Sequence, residues 1–293
     1  MPVAVEQAAA GRQALGHGRG GGYHARVAGR DDPPQRKGEQ AGVQAAAAAK
    51  VLTHRLGILV PGLVQNGLAQ LADMAGEAWL QPDQGIWEVR SEGRVFTYSA
   101  AMCQVALDRA AAIGERLGLG GSIARWRSEA AALRETILSR AWNEDAKTLS
   151  EHLDGDSSVD ASLLALPLRR VVPADHPRMT ATTAAIAERL SAGGGLLYRY
   201  RHDESPDGIA GDEGAFLLCS FWLVDNLVGQ GRLEEAEELY VSLCSRASPL
   251  GLLSEQINPT TGELVGNFPQ AFSHIGVIAS GVTLARAKAA LAQ

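Results

Sequence analysis

From Phe96 onward, apolar residues recur at intervals of three and four, the spacing that lines one face of an α-helix. Met102, Val105, Ala106, Ile113 and Leu117 form one stripe, stopped by Gly118, Gly120 and Gly121. Ser122 is placed to cap the next helix, whose stripe is Ile123, Trp126, Ala130, Leu133 and Ile137. A shorter helix is expected over 161–166, ahead of Pro167. Pro177 suits the first turn of a helix carrying Met179, Ile186 and Leu190. Residues 214–228 are apolar almost all round, which predicts a helix buried on every side. Residues 232–246 are amphipathic, with Leu233, Ala236, Leu239, Tyr240 and Leu243 inward, and a last helix is expected within 268–291. Upstream, Leu56, Val60, Leu63, Val64 and Leu71 share a face interrupted at Gly67, with a break or kink at Pro61. No run of strands emerges. Residues 1–50 are rich in Gly, Ala, Arg and Gln and show neither period. They are expected to lack packed structure, leaving 51–293 as the folded domain.

The connections add a second pattern. Those over 80–95, 143–159, 193–213 and 247–267 are long, while 118–121, 168–176 and 229–231 are short. In a ring of antiparallel helical hairpins, alternate connections emerge at opposite ends. The alternation therefore predicts an α/α toroid with its long loops on one face, where such a scaffold builds a site. An ordinary helical bundle with variable loops is the alternative.

Composition narrows the function classes. A chain of 293 residues, 46% hydrophobic, supports one large core. A net charge of -6 offers no basic face for nucleic acid. The Arg-, Gly- and His-rich stretch 11–37 reads as a solvated tail. Three cysteines, Cys103, Cys219 and Cys244, are too few for a disulfide framework and suit free thiols in a reducing compartment. No signal-peptide core and no membrane-length apolar run of roughly 18 residues is read, so no membrane partner and a cytoplasmic location are expected.

The long loops hold the chemistry. One carries Trp87 and Glu88, another Tyr198, Arg199, Tyr200 and Arg201 and, further on, Glu213; the last carries Glu255. Carboxylates beside aromatics and arginines, without a phosphate loop or a metal-ligand cluster, suit sugar chemistry with no cofactor and no metal. Glycosidic cleavage needs one carboxylic acid to protonate the leaving oxygen and a second carboxylate to activate water or attack carbon. Trp87 can stack on the apolar face of a pyranose. A loop glutamate is ordinarily just solvated, and it is the pairing of two on one face that carries this reading. Asp154 and Asp156 could hold a cation, although two carboxylates without a third ligand are more often solvated.

The motifs resemble glycoside hydrolase family 15, which includes glucoamylases, glucodextranases and bacterial trehalases. The segments are Gly85-Ile86-Trp87-Glu88-Val89-Arg90, Asp160-Ala161-Ser162-Leu163-Leu164, Tyr198-Arg199-Tyr200 and Glu213-Gly214-Ala215-Phe216-Leu217. Gly251-Leu252-Leu253-Ser254-Glu255-Gln256 and Gly266-Asn267-Phe268-Pro269-Gln270-Ala271-Phe272 follow in family order. The resemblance implies an (α/α)6 barrel and a single-displacement, inverting mechanism on α-glucosidic bonds of glucans or trehalose. It implies Glu88 as general acid, Glu255 as general base, Trp87 as the aromatic beside the acid and Arg199 as a sugar-binding arginine. Glu213 is a further substrate-binding candidate. Asp160 and His274 fall in recognisable motifs, with packing or support of a neighbouring site residue equally open, and Tyr98, Phe216 and Trp222 are read as core. The partner implied is an oligosaccharide or disaccharide of glucose.

The sequence also departs from the pattern. Ala100 stands where Lys is common and Gln104 where Trp is common. Residues 1–76 do not match, and neither the family's N-terminal β-rich domain nor its early barrel helices are read. The expectation is an incomplete (α/α)6 barrel: a truncated start or an out-of-frame reading joined to a true C-terminal part. Three functional classes follow: an active inverting glycosidase, an inactive or merely sugar-binding remnant, and a split barrel finished by a complementing chain or by self-association through exposed helix faces.

Overall fold

Helical hairpins built on small residues organise the computed structural model, which describes residues 61–90, 92–201 and 213–292. Its helices are α1 (Pro61–Ala78), α2 (Thr97–Arg116), α3 (Ile123–Arg140), α4 (Ala165–Leu168, preceded by a 3₁₀ turn over Ala161–Leu164), α5 (Pro177–Arg189), α6 (Leu217–Gly229), α7 (Leu233–Cys244) and α8 (Ala271–Leu291). The expectations for 1–50, and for Leu56 and Val60, lie outside the described residues.

The α3 stripe is inward as read, with Trp126, Ala130, Leu133 and Ile137 buried. The indole N–H of Trp126 donates to Asp73 on α1 at 2.8 Å. Ser122 occupies the N-cap position, but its side chain makes no capping hydrogen bond. Pro177 opens α5 at its first turn, and the His176 side chain accepts from the Arg178 N–H at 3.2 Å.

Two faces differ from the reading. On α2 the buried positions are Thr97, Tyr98, Ala100, Ala101, Gln104, Leu107, Ala110, Ala111 and Gly114, whereas Ile113 and Leu117 are exposed. On α1 Leu68, Ala69 and Ala72 pack inward and Leu71 is exposed. Close helix approach explains the inversion. A Cβ on Gly114 would stand 3.0 Å from Ile123 of α3, so the seam is built from small residues and the larger side chains are displaced to its edge.

The long connections carry only short paired strands, so the fold is all-helical as read. They hold β1 (Trp142–Asn143), β2 (Thr148–Leu149), β3 (Ser191–Gly193), β4 (Leu196–Leu197), β5 (Ala215–Phe216), β6 (Gln256–Ile257) and β7 (Leu264–Val265). All pair antiparallel, as β1–β2, β3–β4 and β5–β6–β7. At two or three residues each they are too short to show a period of 2. The helix read over 214–228 accordingly starts only at Leu217, after β5.

The core is continuous from α2 to α8. Buried Asn226 on α6 ties its centre together, donating to the Leu164 carbonyl at 2.7 Å and the Trp222 carbonyl at 2.8 Å. Cys219 is buried and Cys103 and Cys244 are half-buried, all as free thiols. Asp154 and Asp156 both take Arg94, at 2.6 and 3.0 Å, so their charge is matched by an arginine. Among the described residues no helix is long and apolar enough to cross a membrane.

Candidate active site

Five segments far apart in sequence meet at one end of the helices, and backbone hydrogen bonds hold them in register. Ala161 N–H donates to the Arg199 carbonyl at 2.8 Å, joining the 3₁₀ turn to the arginine loop. Phe216 pairs with Gln256 across β5–β6, and Leu217 N–H donates to the Glu255 carbonyl at 3.1 Å. Trp87 reaches Asp160, its indole N–H donating to Oδ2 at 2.8 Å. The result is a cleft of about 500 Å³ lined by Trp87, Glu88, Arg199 and Glu255, with Phe216, Trp222 and Asp225 behind them and Phe272, Ile275 and Ala279 of α8 along one wall.

Glu88 sits at the tip of a tight turn. Its φ is +54°, a left-handed conformation that costs an L-residue roughly 1–2 kcal/mol. Gly85, at φ +65°, lies flat on the Phe96 ring, where a Cβ would come within 3.0 Å. Val89 N–H closes the turn on the Gln84 carbonyl at 3.0 Å, and the Val89 side chain is buried against Phe96 and Tyr200. The carboxylate is exposed to the cleft.

Glu255 is half-buried and held by donors. Its Oε2 accepts from the Asn267 backbone N–H at 3.3 Å and side-chain N–H at 3.2 Å, and its Oε1 from Gln270 at 3.1 Å. The Gln270 side-chain oxygen, Oε1, meanwhile caps α8 by accepting from Phe272 N–H at 3.4 Å, so one side-chain amide couples a helix end to the carboxylate. Asn267 and Gln270 escaped the sequence reading as separate site residues. Both lie in the family-like segment 266–272, where the sequence alone gives no sign of their contact with Glu255.

Arg199 pairs with Glu213, with only 14% and 10% of their side chains exposed. Burial works to lower the arginine pKa, and the neighbouring Glu213 carboxylate overrides it, so the guanidinium is held above its ordinary range. It also packs on the rings of Trp87, Tyr200 and Phe216, at 5.3, 5.1 and 5.4 Å from their centroids. Glu213 additionally accepts from Gln256 at 3.0 Å. It lines a neighbouring cavity of about 520 Å³ with Tyr198 and Asn258, and borders the Glu88–Glu255 cleft through Arg199.

Tyr98, Phe216 and Trp222 belong to the core as read, and the last two also wall the cleft. Trp87 packs on both, at centroid distances of 5.5 Å to Phe216 and 6.2 Å to Trp222. His274 is occupied locally, its ring nitrogens meeting the Gln270 carbonyl at 2.7 Å and the Leu253 N–H at 3.4 Å. Two further acids stand at the site: Asp160, from its motif, and Asp225, which the sequence does not single out. Asp160 is 1% exposed and Asp225 is half-buried, and burial pushes each carboxyl up to about 6. Among the described residues no group of three metal-ligating side chains occurs.

The family model of glycosyl hydrolases family 15 matches residues 57–234 and 229–282. The chain belongs to this family. The match begins at residue 57, which corrects the boundary near residue 76 read from the motifs alone. A trehalase of Mycolicibacterium smegmatis is 43% identical over 229 residues, 78% of this chain and 34% of that protein. A trehalase of Thermoplasma volcanium is 38% identical over 200 residues, 68% of this chain and 32% of that protein. The chain thus spans about a third of the length of these relatives. Among solved structures, a bacterial glucoamylase complexed with acarbose superposes with a TM-score of 0.64 at 18% identity, covering 81% of this chain and 40% of that one. A structure titled as a wild-type glycosidase gives 0.62 at 22%, covering 83% and 66%. Glucoamylase-like (α/α)6 barrels therefore share the fold.

Proposed function

We propose that this chain is a glycoside hydrolase module that cleaves α-glucosidic bonds with inversion, with Glu88 as general acid and Glu255 as general base. The observation that carries the reading is the single cleft onto which both carboxylates open, beside Trp87 and Arg199. In this scheme Glu88 protonates the glycosidic oxygen while Glu255, oriented by Asn267 and Gln270, takes a proton from the water attacking the opposite face. Trp87 offers a ring to the apolar side of the sugar, and Arg199 a charged donor to its hydroxyls. The trehalase relatives favour trehalose as substrate, and the acarbose-bound glucoamylase favours short α-glucans.

A second reading rests on α8. Phe272, Ile275, Ile278 and Val282 are between 44% and 67% exposed and recur along one side of the helix. An apolar stripe of this kind fits a covering polypeptide. In this reading turnover requires a complementing chain or self-association, because part of the wall that orients the sugar comes from elsewhere. Positioning can supply ~7–11 kcal/mol of barrier reduction, against about 10²–10⁴-fold from acid–base catalysis. The purified chain assayed on trehalose, maltose and maltotriose, with Glu88→Gln and Glu255→Gln as controls, tests both. Turnover abolished by either substitution supports the glycosidase. Specific activity that rises with protein concentration supports the covered form.

A further inference from the structure

We propose that Asp160 is a positioning residue for the acid loop: its buried carboxylate fixes the Trp87 indole and so holds the Glu88 turn in its working geometry. The inference rests on the glycosidase reading above. Both carboxylate oxygens are committed, Oδ2 to the Trp87 indole N–H at 2.8 Å and Oδ1 to the Ser162 backbone N–H at 2.6 Å. Capping the 3₁₀ turn needs only a single acceptor, which serine or asparagine would provide. Taking two N–H donors on opposite oxygens needs a carboxylate, because asparagine turns an NH₂ toward one of them.

The cost of burying that charge points the same way. Asp160 is 1% exposed, and burial raises its carboxyl to about 6 despite the donors and the Arg199 charge nearby. The other ionisable groups facing it are the Cys219 thiol and, behind Arg199, Glu213. A buried acid that gives up this much solvation needs compensating donors. Ser162 supplies them from within the 3₁₀ turn, and the Trp87 indole is the donor that reaches in from the acid loop.

The mechanical argument is local. The Glu88 turn holds a left-handed, non-glycine residue, a conformation that persists only when its surroundings fix it. On one side Val89 is pinned against Phe96 and Tyr200. On the other the anchor is Trp87, wedged between Phe216, Trp222 and Arg199 and oriented in that wedge by Asp160. If the indole is released, one end of the turn carrying the acid is released with it.

The test combines ¹H–¹⁵N spectra with kinetics on the full chain and its Asp160→Asn, Trp87→Phe and double variants. The Trp87 indole resonance, assigned by its loss in Trp87→Phe, is expected to shift in Asp160→Asn together with the Glu88 backbone amide. The Trp126 indole, bonded to Asp73, should stay in place. With trehalose as substrate, kcat is expected to fall about tenfold or more in each single variant, with KM of Asp160→Asn within about threefold. The double variant should be no worse than the weaker single. An unmoved Glu88 amide, or losses that multiply in the double variant, overturns the proposal. So does a lowered melting temperature with kcat per folded molecule unchanged. If Glu88→Gln leaves turnover intact, the acid–base reading fails, while the spectral arm still decides whether Asp160 sets the turn.

Discussion

Arg199 and Glu213 form an ion pair buried on both sides, with the guanidinium facing the Glu88–Glu255 cleft and the carboxylate bordering the next cavity. Removing one partner of such a pair leaves a mostly buried charge uncompensated, at a cost of about 3–5 kcal/mol. Glu213→Ala is therefore expected to lose stability in that range at pH 7 by urea unfolding, and Glu213→Gln markedly less. A loss under about 1 kcal/mol for Glu213→Ala would show that the pair is solvated.

Gly266 bounds the space of the candidate base. A Cβ there would lie 2.9 Å from the Glu255 carboxylate, and its φ of +76° disfavours any L-residue. Gly266→Ala is expected to destabilise the fold by about 1–3 kcal/mol. It should also lower kcat about tenfold or more by turning the carboxylate away from its water. Activity assays and thermal unfolding on the same preparation check both.

Asp225 gives a pH signature. It lines the cleft, Ser280 donates to one oxygen at 3.1 Å, and the Thr283 hydroxyl also lies beside the carboxylate. Burial holds its carboxyl near 6 in the folded chain, above the unfolded value of about 3.9. Its contribution to stability is full below pH ~4 and is lost as the pH rises through 6. Asp225→Asn is expected to gain ~2–3 kcal/mol over wild type at pH 7.5 and nothing at pH 4. Equal effects at both pH values would remove the linkage.

The backbone at Glu88 predicts a trade of stability against activity. Glycine relieves the left-handed strain and alanine does not. Glu88→Gly should thus be about 1 kcal/mol more stable than Glu88→Ala, with both lacking turnover. Denaturation midpoints compare them directly.

What the chain disclosed in advance follows its physics. Trp87, Glu88, Arg199 and Glu255 stand in compact segments of distinctive chemistry, and the short-long rhythm of the loops reports which end they share. The helix faces at Leu71, Ile113 and Leu117 were misread because the reading weighed large apolar residues. The seam itself is built from Ala101, Ala110, Ala111 and Gly114. The strands were missed because two or three residues carry no period. Asp160, Gln270 and Asn267 act through partners that only the folded chain brings together: Trp87 for the first and Glu255 for the other two.

Anomeric configuration is the most direct test of the central claim. In α,α-trehalose both anomeric carbons are α, and cleavage releases one glucose with its configuration untouched. Attack by Glu255-activated water inverts the other carbon, so ¹H NMR recorded before mutarotation should show α- and β-glucose in equal amounts, with no product from Glu88→Gln or Glu255→Gln. Initial product that is entirely α-glucose, or turnover that survives either substitution, would contradict the account.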